Sequence, residues 1–209
     1  MIWQRLLARQ SRLPSGLIGR LLIGSYLDRV NAEINTLVYE ALAPEPQQRV
    51  LEVGFGGADL LFRIAAGLDR GRIEGLELSG EMLDNARRRA ARLGLADKAG
   101  FHAGSVDALP FADASFDLAC SVHTIYFWPD LESGLTELAR VFKPGGRLVL
   151  GFSTDTDLRR DGWTEQGFQA YPTEVIVESC RALGFESERL DSIPRNPRGQ
   201  VYAYRGIRA

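Results

Sequence analysis

From Arg49 onward, short apolar runs alternate with amphipathic ones, and that alternation leaves few architectures open. RVLEV, RIEGLEL, FDLACS and GRLVLGF are strand-like, whereas ADLLFRIAAGL, EMLDNARRRAARLG and DLESGLTELARVF carry apolar residues at helical spacing, with Met82, Ala86 and Ala90 at i, i+4 and i+8. The helix beginning at Gly80 has acids early (Glu81, Asp84) and arginines late (Arg87, Arg88, Arg89, Arg92), the polarity its dipole favours. Strand-helix repetition demands right-handed crossovers, so an α/β fold with a doubly wound, mainly parallel sheet is expected.

Both ends depart from this rhythm. Pro14 to Leu42 shows helical spacing in two or three pieces, which Pro44 and Pro46 stop, so residues 1–48 are expected to be an N-terminal helical lid and residues 49–209 the main domain. At the other end TEVIVESCRALG reads as a helix. ESERLDSIP and QVYAYRG then follow without a helix between them, which predicts a C-terminal antiparallel hairpin.

Three glycines, Gly54, Gly56 and Gly57, crowd the turn directly behind the first strand in VLEVGFGGADLL. Such a turn lets a ligand approach bare backbone, and its free amides favour anionic groups. No Lys-Ser or Lys-Thr follows, which excludes a P-loop, and Asp59 stands where a dinucleotide fingerprint needs its third glycine. Two acids narrow the ligand further. Glu52, just before the turn, suits a positively charged group, and Glu77, ending the second strand, suits ribose hydroxyls. The pattern describes a nucleoside with a zwitterionic tail.

A net charge of -2 gives no field to attract nucleic acid or an anionic membrane. The two cysteines, Cys120 and Cys180, lie in apolar segments far apart and suggest core residues of a cytoplasmic protein. No run reaches spanning length, and MIWQRLLARQSRL reads as an amphipathic docked helix rather than a secretion signal. Two His and two Cys at unrelated spacings predict no metal site.

In order and spacing, E-x-G-x-G-G (Glu52, Gly54, Gly56, Gly57), LELSGEML, GSVDALPFADASFDLACS and ELARVFKPGGRLVLGF resemble the successive motifs of class I S-adenosylmethionine-dependent methyltransferases, especially the small-molecule branch that includes ubiquinone/menaquinone-biosynthesis enzymes. The resemblance runs from about Arg49 to Phe152. It implies a seven-stranded sheet, S-adenosyl-L-methionine as cofactor and a small-molecule methyl acceptor. It also implies that the glycines pass under the methionine part, Glu52 holds the ammonium and Glu77 binds the ribose. Ser79 and Met82 would border the adenine, and Ser121 joins the cofactor set. Ser105 replaces the family's usual Asp, which leaves Ser105 and the Val106 amide, or Asp107, to meet the adenine amino group. KPGG (Lys143 to Gly146) is expected to be a tight turn before the fifth strand.

Methyl transfer from a sulfonium needs alignment and exclusion of water, and a base only where the acceptor must lose a proton. Ligands in such sheets sit beyond the carboxyl ends of the strands, so VHTIYFWPD and STDTD are expected to shape the acceptor pocket. His123 is the candidate base and Tyr126 a second candidate catalytic residue, while His102, placed at the start of the third strand, reads as structural. Of Tyr126, Phe127 and Trp128, at least one is expected to line the pocket, with Trp163, Phe168 and Tyr171 adding apolar surface. Asn31 and Asn35, with Tyr26, would face the cofactor from the lid. Two other readings stay open: a non-catalytic S-adenosylmethionine-binding sensor or partner subunit, and a nicotinamide-dependent oxidoreductase, which Asp59 and the terminal hairpin oppose.

Overall fold

The computed structural model describes residues 28–194 and 200–209. Of the expected lid, residues 1–27, including Tyr26, lie outside the described residues. The rest of that segment holds helix α1 (Ala32–Leu42). Its Ile34, Val38, Ala41 and Leu42 are buried at helical spacing, and Val38 and Ile34 lie against Gly151. Arg147 donates to the Leu42 carbonyl at 2.8 Å, setting a cation at the end of the helix where the dipole favours one.

The remaining elements alternate as the periodicity requires: β1 (Arg49–Val53), α2 (Asp59–Gly67), β2 (Arg72–Glu77), α3 (Gly80–Leu93), β3 (Ala99–Ala103), β4 (Phe116–Val122), α4 (Leu131–Val141), β5 (Phe142–Ser153), α5 (Asp155–Arg160), α6 (Thr173–Ala182), β6 (Phe185–Pro194) and β7 (Gln200–Arg208). The sheet has seven strands in the order β3-β2-β1-β4-β5-β7-β6. Pairing is parallel from β3 through β5, and β7 runs antiparallel to both β5 and β6. Because β2 and β3 continue to one side of β1 while β4 and β5 lie on the other, the chain reverses direction across the sheet between β1 and β4. That reversal opens a crevice at the carboxyl ends of those two strands.

Successive strand residues feed opposite cores. Val50, Ile73, Leu118, Cys120 and Val149 pack with α1, α2 and α3, while Leu51, Leu76, Ala119, Leu148 and Leu150 pack with α4 and α6. Each fully buried Leu, Ile or Val contributes about 1.5–3 kcal/mol relative to exposure. Local signals set the helix ends. Ser79 caps α3 by accepting from the Met82 N–H at 3.3 Å, Gly94 closes it in the left-handed region, and Asp130 caps α4.

Two local expectations change. KPGG does not precede β5 but interrupts it: Phe142 already pairs with Phe116, the register then shifts, and pairing resumes at Arg147 opposite Leu118. In STDTD, Thr154 caps the short helix α5. His102 lies fourth of the five residues of β3, not at its start, with Nε2 2.8 Å from Glu74 Oε2.

Candidate functional site

A cavity opens at the carboxyl ends of β1 and β4, at the reversal point of the sheet. Its wall brings together Glu52, Gly54, Gly56, Gly57, Glu77, Ser105, Val106, His123, Tyr126, Asn31 and Asn35, eleven of the residues singled out from the sequence. Asn31 is the N-cap of α1, yet its side chain does not cap the helix.

The glycine turn is built by three forces. Gly54 has φ +73°, and a Cβ there would stand 2.3 Å from Thr124 Cγ2, so the position excludes any side chain on both backbone and packing grounds. Its N–H donates to the Leu76 carbonyl at 2.7 Å, which ties the turn to β2. Glu77 then braces the turn from below. Its Oε2 accepts from the Gly56 N–H at 3.0 Å and its Oε1 from the Ser79 N–H at 3.0 Å. Gly54→Ala is expected to cost about 2–5 kcal/mol, the left-handed penalty plus overpacking, seen as a lower denaturant midpoint. A midpoint equal to that of the unaltered protein would show that the turn relaxes freely.

Electrostatically this half of the cavity is acidic. Glu52 is 3% exposed, and its Oε2 has no hydrogen-bond partner among the described residues. Burial pushes its carboxyl well above the ordinary carboxylate range, and the charges of Asp28, Asp59 and Glu77 push it further. Burial also raises Glu77, against the opposing pull of the amides of Ser79, Gly56 and Leu78. Asp28 is likewise raised by burial, with Arg89 partly offsetting the rise. Among the described residues of the wall there are three carboxylates, Asp28, Glu52 and Glu77, and no Lys or Arg.

The other half is aromatic. Tyr126, Phe127 and Trp128 all reach the wall, joined by Trp163, Phe168, Leu158 and Pro129. Phe127 and Phe168 meet edge to face with centroids 4.5 Å apart, and Trp163 lies against Phe168 at 5.2 Å. All three aromatics of one short segment fit because Ile125–Phe127 is a single 3-10 turn. Gly134 of α4 also leaves room for the indole: a Cβ there would come within 2.6 Å of Trp128 Cε3. Tyr171 stays off this wall and donates instead to Gln169 Oε1.

His123 closes the end of β4 in the left-handed region, φ +56°, a conformation that a β-carbon-bearing residue adopts only when its surroundings impose it. The His123 N–H donates to the Gly151 carbonyl at 2.8 Å, and Nδ1 is 3.1 Å from Tyr126 Oη, which in turn accepts from the Ser153 N–H. The ring is thus presented to the cavity from a fixed backbone.

Besides Tyr171, four named residues are not on the wall: Ser79, Met82, Ser121 and Asp107. Ser79 and Met82 are buried beneath it, occupied with the cap of α3. Ser121 is buried as well. Its hydroxyl donates to the Val53 carbonyl at 3.0 Å and bonds Thr124 Oγ1, which accepts from Trp128 Nε1 at 3.0 Å. This chain of bonds stitches β4 to β1. Asp107 also stays off the wall; it accepts from Ser105 Oγ, leaving that oxygen with lone pairs to accept another donor. Asp28, Val30, Leu78, Thr124 and Leu158 belong to the wall without having been singled out, although Thr124 lies within a segment expected there. Only Leu78, beside Glu77, carried a signal in its position.

Comparison with known proteins fits this geometry. The family described as "Methyltransferase domain" matches residues 51–150. Ubiquinone/menaquinone biosynthesis C-methyltransferase UbiE of Brucella anthropi is 41% identical over 161 residues, 74% of this chain and 61% of that protein. Residues 51–150 thus match a methyltransferase domain and resemble the class I methyltransferases. The chain spans between 46% and 61% of the length of the curated relatives it matches. Solved structures agree with the methyltransferase fold. Geranyl diphosphate methyltransferase, in complex with GPP and sinefungin, superposes with a TM-score of 0.75 at 14% identity over 88% of this chain and 80% of that one. The cyclase SpnF superposes with a TM-score of 0.74 at 20% identity over 84% of this chain and 80% of that one. Identities this low speak for the methyltransferase fold alone, and a cyclase on that fold means the reaction must be argued from the site. Among the described residues, no helix is long and apolar enough to cross a membrane.

Proposed function

We propose that this chain transfers the methyl group of S-adenosyl-L-methionine to an O, N or C atom of a small, partly hydrophobic molecule. The observation that carries the proposal is the acidic half of the cavity. Three carboxylates and no cation disfavour a diphosphate, which argues against a nicotinamide dinucleotide, and favour a ligand bearing positive charge. The partnerless Glu52 oxygen fits an ammonium group in particular, since a buried acceptor without a donor is costly until something supplies one.

The residues divide the work. Glu52 would hold the amino end and Glu77 the ribose, while the bare turn from Gly54 to Gly57 leaves the backbone open to close approach. Ser105 Oγ, its proton given to Asp107, would accept from the adenine amino group beside the Val106 amide. When bound, S-adenosylmethionine supplies a methyl group already activated by its sulfonium. The chain's contribution is to align the acceptor against the aromatic half and to keep water out; orientation of this kind is worth about 7–11 kcal/mol. His123, with Nδ1 turned to Tyr126, would take the acceptor's proton on Nε2. Residues 1–48 would serve as a lid over the cofactor, Asn31 and Asn35 facing it, and the protein would work in the cytoplasm.

Calorimetric titration with S-adenosylhomocysteine, followed by transfer of labelled methyl into a cell extract, tests the reading; no heat of binding would sink it. His123→Asn is the sharper probe of the base, because Asn tolerates the left-handed region and removes only the titrating ring. Cofactor affinity should stay unchanged while turnover falls roughly 10²- to 10⁴-fold. Undiminished turnover would make His123 a strand-end residue only.

A further inference from the structure

Arg89 lies outside the cavity wall and yet touches three parts of its frame. Its Nη1 donates to Asp28 Oδ2 at 3.0 Å and to the Gly57 carbonyl at 2.9 Å, and Nη2 lies 3.6 Å from Asp59 Oδ1. The guanidinium rests on the Phe62 ring, 4.9 Å from its centroid. Asp28 in turn accepts from the Asp59 N–H at 3.2 Å. That contact answers an oddity of α2: its N-cap, Ala58, has φ +67° and no side chain able to cap. A carboxylate 31 positions earlier does the capping.

We propose that Arg89 is a positioning residue for the cofactor site, clamping Asp28, and through it the segment carrying Val30, Asn31 and Asn35, to the glycine turn and the start of α2. The proposal rests on the S-adenosylmethionine reading of the cavity. Three physical points support it. Asp28 is on the wall, so the clamp sets wall geometry directly. The planar guanidinium lets Nη1 serve both Asp28 and the Gly57 carbonyl while Nη2 faces Asp59 and the plane rests on Phe62, a combination a compact ammonium does not reproduce. And Arg89 is the cation paired with Asp28, whose carboxylate also feels the repulsion of Asp59 and Glu52.

Position and charge predict opposite results, which makes the test decisive. If Arg89 contributes only charge, its removal makes the cavity more negative and tightens the cationic S-adenosylmethionine relative to S-adenosylhomocysteine. If it is a clamp, Arg89→Met weakens both ligands tenfold or more by calorimetry. Arg89→Lys, which keeps one cationic nitrogen but loses the second nitrogen facing Asp59 and the plane resting on Phe62, should restore part of the loss. Asp28→Asn combined with Arg89→Met should cost little beyond Arg89→Met alone, since the contact between the two is already lost and Asn can still accept from the Asp59 N–H. Thermal unfolding and circular dichroism accompany each variant; should Arg89→Met fail to fold, a several-fold loss in folded Arg89→Lys carries the proposal. Unchanged affinity in Arg89→Lys, selective tightening of S-adenosylmethionine, or additive losses in the double variant would overturn it. An unaltered protein that bound neither ligand would sink the cofactor reading instead.

Discussion

Glu52→Gln is expected to weaken binding of S-adenosylmethionine by about 2–5 kcal/mol, the usual cost of removing one partner of a buried charge pair, and to raise the thermal stability of the ligand-free protein. Both follow from one carboxylate, 3% exposed, with an oxygen that no described residue satisfies. The sign of its pH dependence is fixed by its raised folded-state pKa. Any stability it gives the ligand-free fold is fully present below the ordinary carboxylate value and is lost as pH rises through the raised one. Gln cannot ionise, so it escapes that loss at neutral pH. A cationic ligand needs the ionised form, so binding should release a proton, and affinity should climb with pH until Glu52 is ionised before the ligand arrives. Titrations in buffers of differing ionisation heat would count that proton. No release, or affinity falling as pH rises in this window, would remove Glu52 from the amino end.

Glu77→Ala should act twice. Losing the ribose contacts should cost about 1.5–3 kcal/mol of affinity, the range for hydrogen bonds to a charged group. In addition, the Gly56 and Ser79 amides lose their shared acceptor, so the ligand-free protein should unfold at a lower temperature, unlike Glu52→Gln. Calorimetry and a melting curve on the same sample separate the two effects. Lowered stability with intact affinity would make Glu77 a brace for the turn and nothing more.

These two residues were legible before any coordinates because they sit at fixed steps from a glycine turn and from a strand end, positions that periodicity alone locates. The sheet was legible for the same reason, each apolar run being of strand length and each amphipathic run of helix length. Other features depend on distance in space, and a sequence does not carry it. Asp28 and Arg89 are 61 positions apart, and neither is unusual among its neighbours. The bonds that tie Ser121 to Val53 and Thr124 are likewise invisible in the sequence. The break in β5 was hidden because Pro and Gly announce a turn without saying whether pairing resumes the same strand afterwards. The left-handed backbone of His123 likewise has no signature in residue type.

The excursion from 154 to 172, between the fifth strand and the last helix, brings Leu158, Trp163 and Phe168 to the aromatic half and contributes no strand to the sheet. The floor that would receive the nucleoside comes instead from the strand ends. On the proposed reading, recognition of the acceptor would be modular. A chain of this architecture would exchange that excursion for one of different shape and acquire a new methyl acceptor while the strand-end floor stays as it is.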